Sequence, residues 1–423
     1  MIRFLINGLL RDKSRSRLPI IVVTIGVSLT VWLHAYITGF MGDTIEMNAR
    51  FSTGHLKVTT RAYMEEIDQL PNDLALFETE ELLQQLTENF PGYTWSERIL
   101  FGGLIDVPDA HGDTRAQGPA MGMGITLFDN NAEAERLRLA SAIVRGGLPN
   151  GPGEVLLSEQ FSQKLKVSPG DNVTLIGSTM EGSMAFYNFT VAGTLRFGAE
   201  ALDRGTIIAD IDDVRQALQM DNATGEILGF LPMNLYDNDQ ARLAAASFNA
   251  QHDGYGDEFT PMMLALSQQG TMGFYVEMAE VWAFYISLVF VLAMSLVLWN
   301  AGLLGGLRRY GEVGIRLAMG EEKHHVYLSM VYESVFIGLV GSIVGTAFGL
   351  FFAWLLQTYG INISGMMQGG AVMMPDVIRA RITPPDYYLG FVPGLLSMVM
   401  GTMLSGIGIF KRQTARLFKE LEN

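Results

Sequence analysis

The sequence predicts a membrane protein with four transmembrane α-helices and a large mixed α/β domain inserted between helices 1 and 2. Three observations lead to this fold class. Basic residues cluster in short segments beside apolar runs, and acidic residues concentrate between residues 41 and 281. Four runs without lysine or arginine are long enough to span a bilayer, which takes about 20 residues. They are Leu18–Phe40, Trp282–Leu304, Val331–Leu356 and Tyr387–Phe410.

The distribution of basic residues predicts the orientation. Residues 1–17, 305–328 and 411–423 are rich in lysine and arginine, whereas segment 357–386 holds only Arg379 and Arg381. Basic residues favour the cytosolic side of a membrane. Both termini and the 305–328 loop are therefore predicted to be cytosolic. The apolar spacing of residues 2–10 further predicts an amphipathic segment lying on the inner leaflet.

The first apolar run is predicted to be an uncleaved anchor. The hydrophobic region of a signal peptide is roughly 7–15 residues long, and Leu18–Phe40 is longer. No convincing small-x-small cleavage site follows it. The absence of cysteine fits an exported domain that folds without disulfides.

The stretch 41–281 is then outside the cytosol, and it holds 14 Lys or Arg and 35 Asp or Glu. Such acidity is explained by the solubility of an exported domain, or by attraction of a cationic substrate. Alternation and turn signals predict a mixture of strands and helices. Strands are predicted at 54–60, 189–196 and 206–211, helices at 74–90, 212–219 and 239–251, and a strand, helix, turn and strand at 151–177 with Ser158 as N-cap.

A helix is predicted over residues 262–281, continuing into the second span without proline. The predicted layout is as follows: 1–17 cytosolic segment, 18–40 first span, 41–275 outside domain, 276–304 stalk end and second span, 305–328 cytosolic loop, 329–356 third span, 357–386 short outside segment, 387–410 fourth span and 411–423 cytosolic tail.

The loop between the second and third spans contains RRYGEVGIRLAMG, residues 308–320. This segment is short, basic and amphipathic, so it is predicted to lie at the cytosolic membrane surface. The simpler alternative is an ordinary loop whose basic residues reflect only its cytosolic position. Its glycines permit close approach of another surface or a helix end.

Several motifs resemble the FtsX-like permease family, which includes the MacB-type and lipoprotein-releasing ABC transporter permeases. YGEVGIRLAMGE at 310–321 is similar to a family pattern of the type REIGIRRALGA. GEVLLSEQFSQKLKVSPGDNVTL, residues 153–175, resembles the signature of the family's outside domain. YESVFIGLVGSIVGTAFG, residues 332–349, resembles its third helix. The resemblance extends over essentially the whole chain, with Glu321-Glu322 departing from the small and basic residues frequent in relatives.

The resemblance implies that the 308–320 segment is a coupling helix docking on a separate cytosolic ATPase dimer. The implied coupling residues are Arg308, Arg309, Glu312, Gly314, Ile315, Arg316, Leu317, Met319 and Gly320. Ile315, Leu317 and Met319 are expected to be apolar contacts, and the arginines charged contacts and lipid anchors. The chain lacks a Gly-x4-Gly-Lys-Ser/Thr phosphate loop, so ATP and Mg are expected in the partner and not here. We expect no enzymatic activity, cofactor, metal site or nucleic-acid partner in this chain.

Two features of the spans suggest further roles. Glu333 is an acid inside the third run, and it is expected to pair with Arg308, Arg309 or Lys323 or to carry a proton or substrate role. Small residues at every fourth position allow close helix approach. Gly338, Gly341, Gly345 and Gly349 have this spacing, and they are assigned to packing within the subunit in preference to a dimer interface.

The predicted function is that of a permease subunit which transmits the motion of an ATPase across the bacterial inner membrane to work in the periplasm. Lipoprotein extraction is the first expected activity, with a second permease subunit, membrane lipid and a periplasmic lipoprotein carrier or adaptor as partners. Export of peptides or small toxic compounds is an alternative. Regulation of a cell-wall hydrolase and sensing of cationic peptides are alternatives without transport.

Overall fold

The computed structural model describes residues 13–109, 111–128, 132–198, 200–231, 236–252, 257–307, 310–362 and 377–411. The chain forms two compact units. Of the described residues, the membrane unit contains 13–43, 278–307, 310–362 and 377–411. The outside unit contains the described residues between 44 and 277. The predicted amphipathic segment near the N-terminus and most of the C-terminal tail lie outside the described residues.

Among the described residues, four helical segments are long and apolar enough to cross a membrane, as the sequence predicts. The first three are longer than the predicted spans because their helices continue beyond the apolar runs. The four segments lie in α1 Lys13–Asn48, in α10 Gly270–Leu307, in α12 Lys323–Tyr359 and in a fourth stretch that begins at Pro384. This fourth stretch consists of a 3-10 turn at Pro384–Tyr387, a π-helical part at Val392–Ser397 and α13 Met398–Lys411.

The outside unit contains most of the strands. Their bounds are β1 Leu56–Thr60, β2 Leu76–Phe77, β3 Thr94–Pro108, β4 Thr114–Ile125, β5 Ile143–Gly146, β6 Glu154–Ser158, β7 Asn172–Ser178, β8 Met184–Leu195, β9 Thr206–Asp210, β10 Ala223–Thr224, β11 Glu226–Phe230 and β12 Pro261–Ala265. The membrane unit adds a two-stranded pair, β13 Ile361–Asn362 and β14 Val377–Ile378.

Short helices connect these strands. Their bounds are α2 Arg61–Glu65, α3 Thr79–Asn89, α4 Ala132–Arg136, α5 Leu139–Ala142, α6 Glu159–Leu165, α7 Glu200–Asp203, α8 Ile211–Leu218 and α9 Asn238–Gln251. The remaining helix, α11 Tyr310–Ala318, lies between α10 and α12. The predicted fold class, with a mixed α/β domain between the first two spanning helices, is confirmed.

One mixed sheet organises the outside unit, with strand order β12-β1-β11-β3-β4-β9-β6-β8-β5 and β7 paired to β3 and β8. The β4–β9 and β6–β8 pairs are parallel, and the other pairs are antiparallel. Helix α6 buries Phe161 and Leu165 in the core beneath this sheet, next to Val155 and Val173. The turn at Gly170, with φ +98°, connects α6 to β7, and β7 then pairs antiparallel with β3 and β8.

Three local expectations need correction. Residues 262–265 form β12 instead of helix, because Met262 to Ala265 pair antiparallel with β1 over Leu56–Thr59. Helix α10 therefore begins at Gly270.

Helix α3 covers only part of the predicted 74–90 segment. Ser158 is the N-cap of α6, but its hydroxyl donates to the carbonyl of Asp203 (2.8 Å) and does not cap the helix.

Candidate functional site: the helix between the second and third spans

The end of α11 is fixed by its backbone. Gly320 has φ +93°, a conformation that glycine adopts without strain. The Gly320 N–H donates to the carbonyl of Leu317 (3.1 Å), and the Glu321 N–H donates to that of Arg316 (3.1 Å). These two bonds form a Schellman motif, which satisfies carbonyls at the helix end. Gly320 thus ends α11 and turns the chain into α12, which starts at Lys323.

Helix α11 has one face packed against α12 and one face exposed. Val313 is 2% exposed and packs with Val326 and Met330 of α12, and Leu317 contacts this cluster from the side. On the other face, Ile315 is 48% and Met319 is 76% exposed. These two exposed apolar side chains, four residues apart, form a candidate contact surface. Met319 directly follows the last residue of α11, and we call Ile315 and Met319 together the apolar knobs of α11.

The guanidinium of Arg316 binds within the chain. Its Nε and Nη2 donate to the two carboxylate oxygens of Glu321 at 2.6 and 2.7 Å, and its Nη1 donates to Ser329 Oγ at 3.1 Å. Such a two-point contact is the strongest geometry for an arginine and a carboxylate. The hydrogen bonds from Arg316 lower the pKa of the Glu321 carboxyl. The carboxylate therefore stays charged at neutral pH and holds Arg316 in place.

The structure divides the predicted coupling residues into several groups. Ile315, Met319 and Glu312 are exposed, whereas Gly314 is buried and Leu317 is half-buried. Leu317 is thus mainly part of the contact with α12, and Arg316 is occupied by Glu321 and Ser329. Arg308 and Arg309 lie outside the described residues. The sequence pattern could not assign these faces, because it does not show which side of α11 meets α12.

Glu333 lies in α12, ten residues after Lys323. A helix rises 1.5 Å per residue, so the two residues are separated by about 15 Å along the axis. This distance is too long for a direct ion pair, and the expected pairing of Glu333 with Lys323 is therefore wrong. The other two expected partners, Arg308 and Arg309, are not among the described residues.

The glycines of α12 lie where other helices of the membrane unit approach closely. A Cβ added at Gly341 would lie 2.6 Å from Val23 Cγ1, and one added at Gly345 would lie 2.7 Å from the carbonyl oxygen of Thr24. A Cβ at Gly349 would meet Ser28 and Val31 of α1, and one at Gly338 would meet Gly394 and Leu395 of the fourth span. Glycine at these positions thus permits direct backbone contact between spanning helices.

The outside unit contains a buried arginine, Arg98, that no sequence pattern indicates. The Arg98 side chain is completely buried on β3, where it pairs with Glu133. Its Nη1 donates to the carbonyl of Phe51 at 3.0 Å, and its Nη2 donates to that of Arg50 at 2.5 Å. Both carbonyls belong to the π-helical stretch Ala49–Thr53, which directly continues α1. A cation at a helix C-terminus is favourable because the carbonyls there carry negative partial charge.

The start of α10 is attached to the same stretch. Ala49, Leu266 and Val276 form a small buried cluster, with Ile45 and Met272 packed beside it. Gln269 Nε2 also donates to the carbonyl of Thr53 at 3.0 Å. Within the outside unit, the end of the first spanning helix and the beginning of the second are therefore packed together.

Comparison with known proteins adds a family match at the membrane part of the chain. The family described as FtsX-like permease C-terminal matches residues 284–414. The lipoprotein-releasing system transmembrane protein LolC of two Xylella fastidiosa strains is 25% identical over 251 residues. That match covers 56% of this chain and 57% of LolC, so the chain spans little more than half the length of these curated relatives. The predicted resemblance is thereby confirmed.

Two solved structures are similar to the outside unit at low identity. The extracellular domain of the noncanonic ABC-type transporter YknZ from Gram-positive bacteria covers 49% of this chain at 15% identity and TM-score 0.33, with 98% of its own length matched. The periplasmic region of MacB from Actinobacillus actinomycetemcomitans covers 54% at 11% identity and TM-score 0.37, with 95% of its length matched. TM-scores this low establish no common fold, and the fold class rests on the helices and sheet described above.

Proposed function

We propose that this chain, which carries an FtsX-like permease domain at residues 284–414, is the membrane subunit of an ABC transporter driven by a separate cytosolic ATPase. The observation that carries the proposal is the exposure of the apolar knobs Ile315 and Met319 on α11. A helix held between two spanning helices, with one face packed on α12 and one face exposed, suits docking into a groove of a partner protein. ATP and Mg would be bound by that partner.

The outside unit would receive the motion of the ATPase through α1 and α10. Packing of Ala49 and Ile45 against Val276 and Met272 supports a stalk made of both helix ends. Hydrogen bonds from Arg98 to the carbonyls of Arg50 and Phe51 support a firm attachment of the α1 end to the sheet. We therefore propose that the chain transmits motion to work outside the cytosol and has no catalytic activity of its own.

Extraction of lipoproteins from the inner membrane is the activity that we propose first. The similarity to LolC, a lipoprotein-releasing system transmembrane protein, supports it. The proposed complex contains two ATPase subunits, this chain and a second permease subunit, identical or related, in the bacterial inner membrane. A periplasmic lipoprotein carrier would receive the cargo.

Export of peptides or small toxic compounds from the periplasm is the second candidate, and an adaptor would then replace the carrier. Regulation of a cell-wall hydrolase would need no cargo. Binding of cationic peptides by the acidic outside unit, with its excess of Asp and Glu over Lys and Arg, would need no ATPase. These candidates differ in what should accompany the purified chain.

The test is purification of the full-length chain from its native membrane in mild detergent, followed by mass spectrometry of the accompanying proteins and lipids. Recovery of an ABC ATPase together with acylated proteins supports lipoprotein extraction. An ATPase with a periplasmic adaptor supports export, and an ATPase with a hydrolase supports regulation. Recovery of no ATPase, also after chemical cross-linking in the cell, would overturn the proposal as a whole.

A further inference from the structure

Arg316 joins the exposed helix α11 to the third spanning helix through its side chain. One guanidinium holds Glu321, in the turn, by two hydrogen bonds and Ser329, in the first turns of α12, by a third. Ser329 is itself 5% exposed, and its hydroxyl donates to the carbonyl of Val326 at 2.7 Å. The contact therefore reaches from α11 across the turn to the buried side of α12.

Two other connections lie beside this contact. The Schellman hydrogen bonds at Gly320 fix the backbone of the turn, and Val313 packs against Val326 and Met330. Backbone, apolar and charged contacts thus hold α11 to α12 at three separate places. An element held in this way is expected to move as one body when force is applied to its exposed face.

We propose that Arg316 is a positioning residue that holds α11 and the start of α12 together as one rigid unit, which we call the elbow. A force applied to the apolar knobs is then transmitted to the third spanning helix. The inference rests on the proposed function, because it assumes that an ATPase docks on α11. It assigns to Arg316 a role different from the one that its sequence suggests. An arginine on a coupling helix is expected to contact the partner, whereas this guanidinium is held inside the chain.

Reversal of the charge pair separates the two roles. In the variant Arg316→Glu with Glu321→Arg, opposite charges still face each other across the turn, but the charge at position 316 is inverted. A partner that binds Arg316 directly would be repelled by the reversed pair. The reversed pair would restore the attraction across the turn, although a glutamate at position 316 cannot donate to Ser329, whereas each single substitution places two like charges together.

The experiment uses the full-length chain in nanodiscs with its co-purified ATPase. Because the chain contains no cysteine, spin labels can be attached at Ala318→Cys and Tyr332→Cys without removing other thiols. The interspin distance between α11 and α12 is measured with and without trapped ATP, together with ATP turnover and ATPase recovery. The reference is the labelled chain that retains Arg316 and Glu321, which should recover as much ATPase as the unlabelled chain.

We expect both single variants to keep the ATPase but to broaden the interspin distance distribution and lose stimulated ATP turnover. The double variant should narrow the distribution again and recover much of the ATP turnover. Loss of ATPase recovery in the double variant would instead show that Arg316 contacts the partner. A distance distribution that stays narrow in both single variants would show that the pair does not hold the elbow. If even the chain with Arg316 and Glu321 intact recovers no ATPase, the proposed function fails, while the distances still test the elbow.

Discussion

His34 Nδ1 of the first spanning helix lies 2.7 Å from Asp386 Oδ1 at the start of the fourth span. The Asp386 side chain is completely buried. Its other oxygen, Oδ2, accepts hydrogen bonds from the Thr383 backbone N–H (2.6 Å) and hydroxyl (2.9 Å). Three donors thus surround one carboxylate inside the membrane unit, and His34 links it to α1.

Asp386→Asn is expected to destabilise the membrane unit, because an amide has one acceptor oxygen where the carboxylate has two. Hydrogen bonds to a charged group contribute about 1.5–3 kcal/mol each, so a loss of this order is expected. His34→Ala should cost a similar amount, and the double variant should cost less than the sum. Thermal unfolding of the purified chain in detergent measures this, with the exposed Asp221→Asn as control. Additive losses would mean that the two side chains do not act together.

Ile315→Asp is expected to prevent recovery of the ATPase while leaving the chain inserted in the membrane. Ile315 is half-exposed on α11, so a carboxylate there can reach solvent in the free chain, but it would be desolvated in an apolar groove. Loss of a central apolar contact costs about 2 kcal/mol or more, which weakens binding roughly 30-fold. Co-purification and a binding titration measure the effect.

The matched control for this substitution is Leu243→Asp on α9 of the outside unit, where the leucine is 72% exposed. It places the same charge on another exposed apolar position. Equal ATPase recovery with both variants would contradict docking through Ile315. Gly314 is a poorer choice for such a test, because it is buried within α11 and a larger side chain there would also disturb the packing of this helix.

Gly345→Ala is expected to destabilise the contact between α12 and α1. The new Cβ would lie 2.7 Å from the carbonyl oxygen of Thr24 and 2.8 Å from Val27 Cβ, so the helices must separate. Overpacking of this kind costs about 1–3 kcal/mol. The control is Gly305→Ala in α10, where an added Cβ meets nothing within 4 Å. Alanine there should be neutral or stabilising, since glycine weakens a helix by about 0.5–1 kcal/mol. A similar melting temperature for both variants would contradict the close helix contact.

Local signals explain which elements the sequence could predict. The turn at Pro169-Gly170-Asp171 and the apolar spacing around Phe161 lie next to each other in the chain, and β6, α6 and β7 are found there. By contrast, β12 was predicted as helix because its apolar residues fit either structure. Its pairing with β1 joins residues about 200 positions apart, and no local pattern encodes such a contact.

The same distinction applies to the candidate site. The sequence shows that Arg316 and Glu321 carry opposite charges, but it does not predict their contact, because side chains five residues apart point to different sides of a straight helix. They meet only because Gly320 adopts φ +93° and turns the chain back. His34 and Asp386 are 352 positions apart, so their contact had no signal in a single sequence.

Arg98→Met is expected to destabilise the outside unit, since it leaves Glu133 buried without one of its cations and two carbonyls of the Ala49–Thr53 stretch without donors. Removal of one partner from a buried ion pair costs about 3–5 kcal/mol. Arg136 also contacts Glu133, so the loss should fall at the lower end of this range. The control is the exposed Arg115→Met on β4, for which a change within about 0.5 kcal/mol is expected.

Hydrogen exchange of the full-length chain distinguishes loss of attachment from general unfolding. If Arg98 fixes the end of α1 to the sheet, protection should fall first in residues 44–53 and in β3, with β6 and β7 less affected. Uniform loss of protection over the whole sheet would contradict a local attachment role. Protection equal to that of Arg115→Met would show that the buried arginine contributes nothing to the attachment of the helix end.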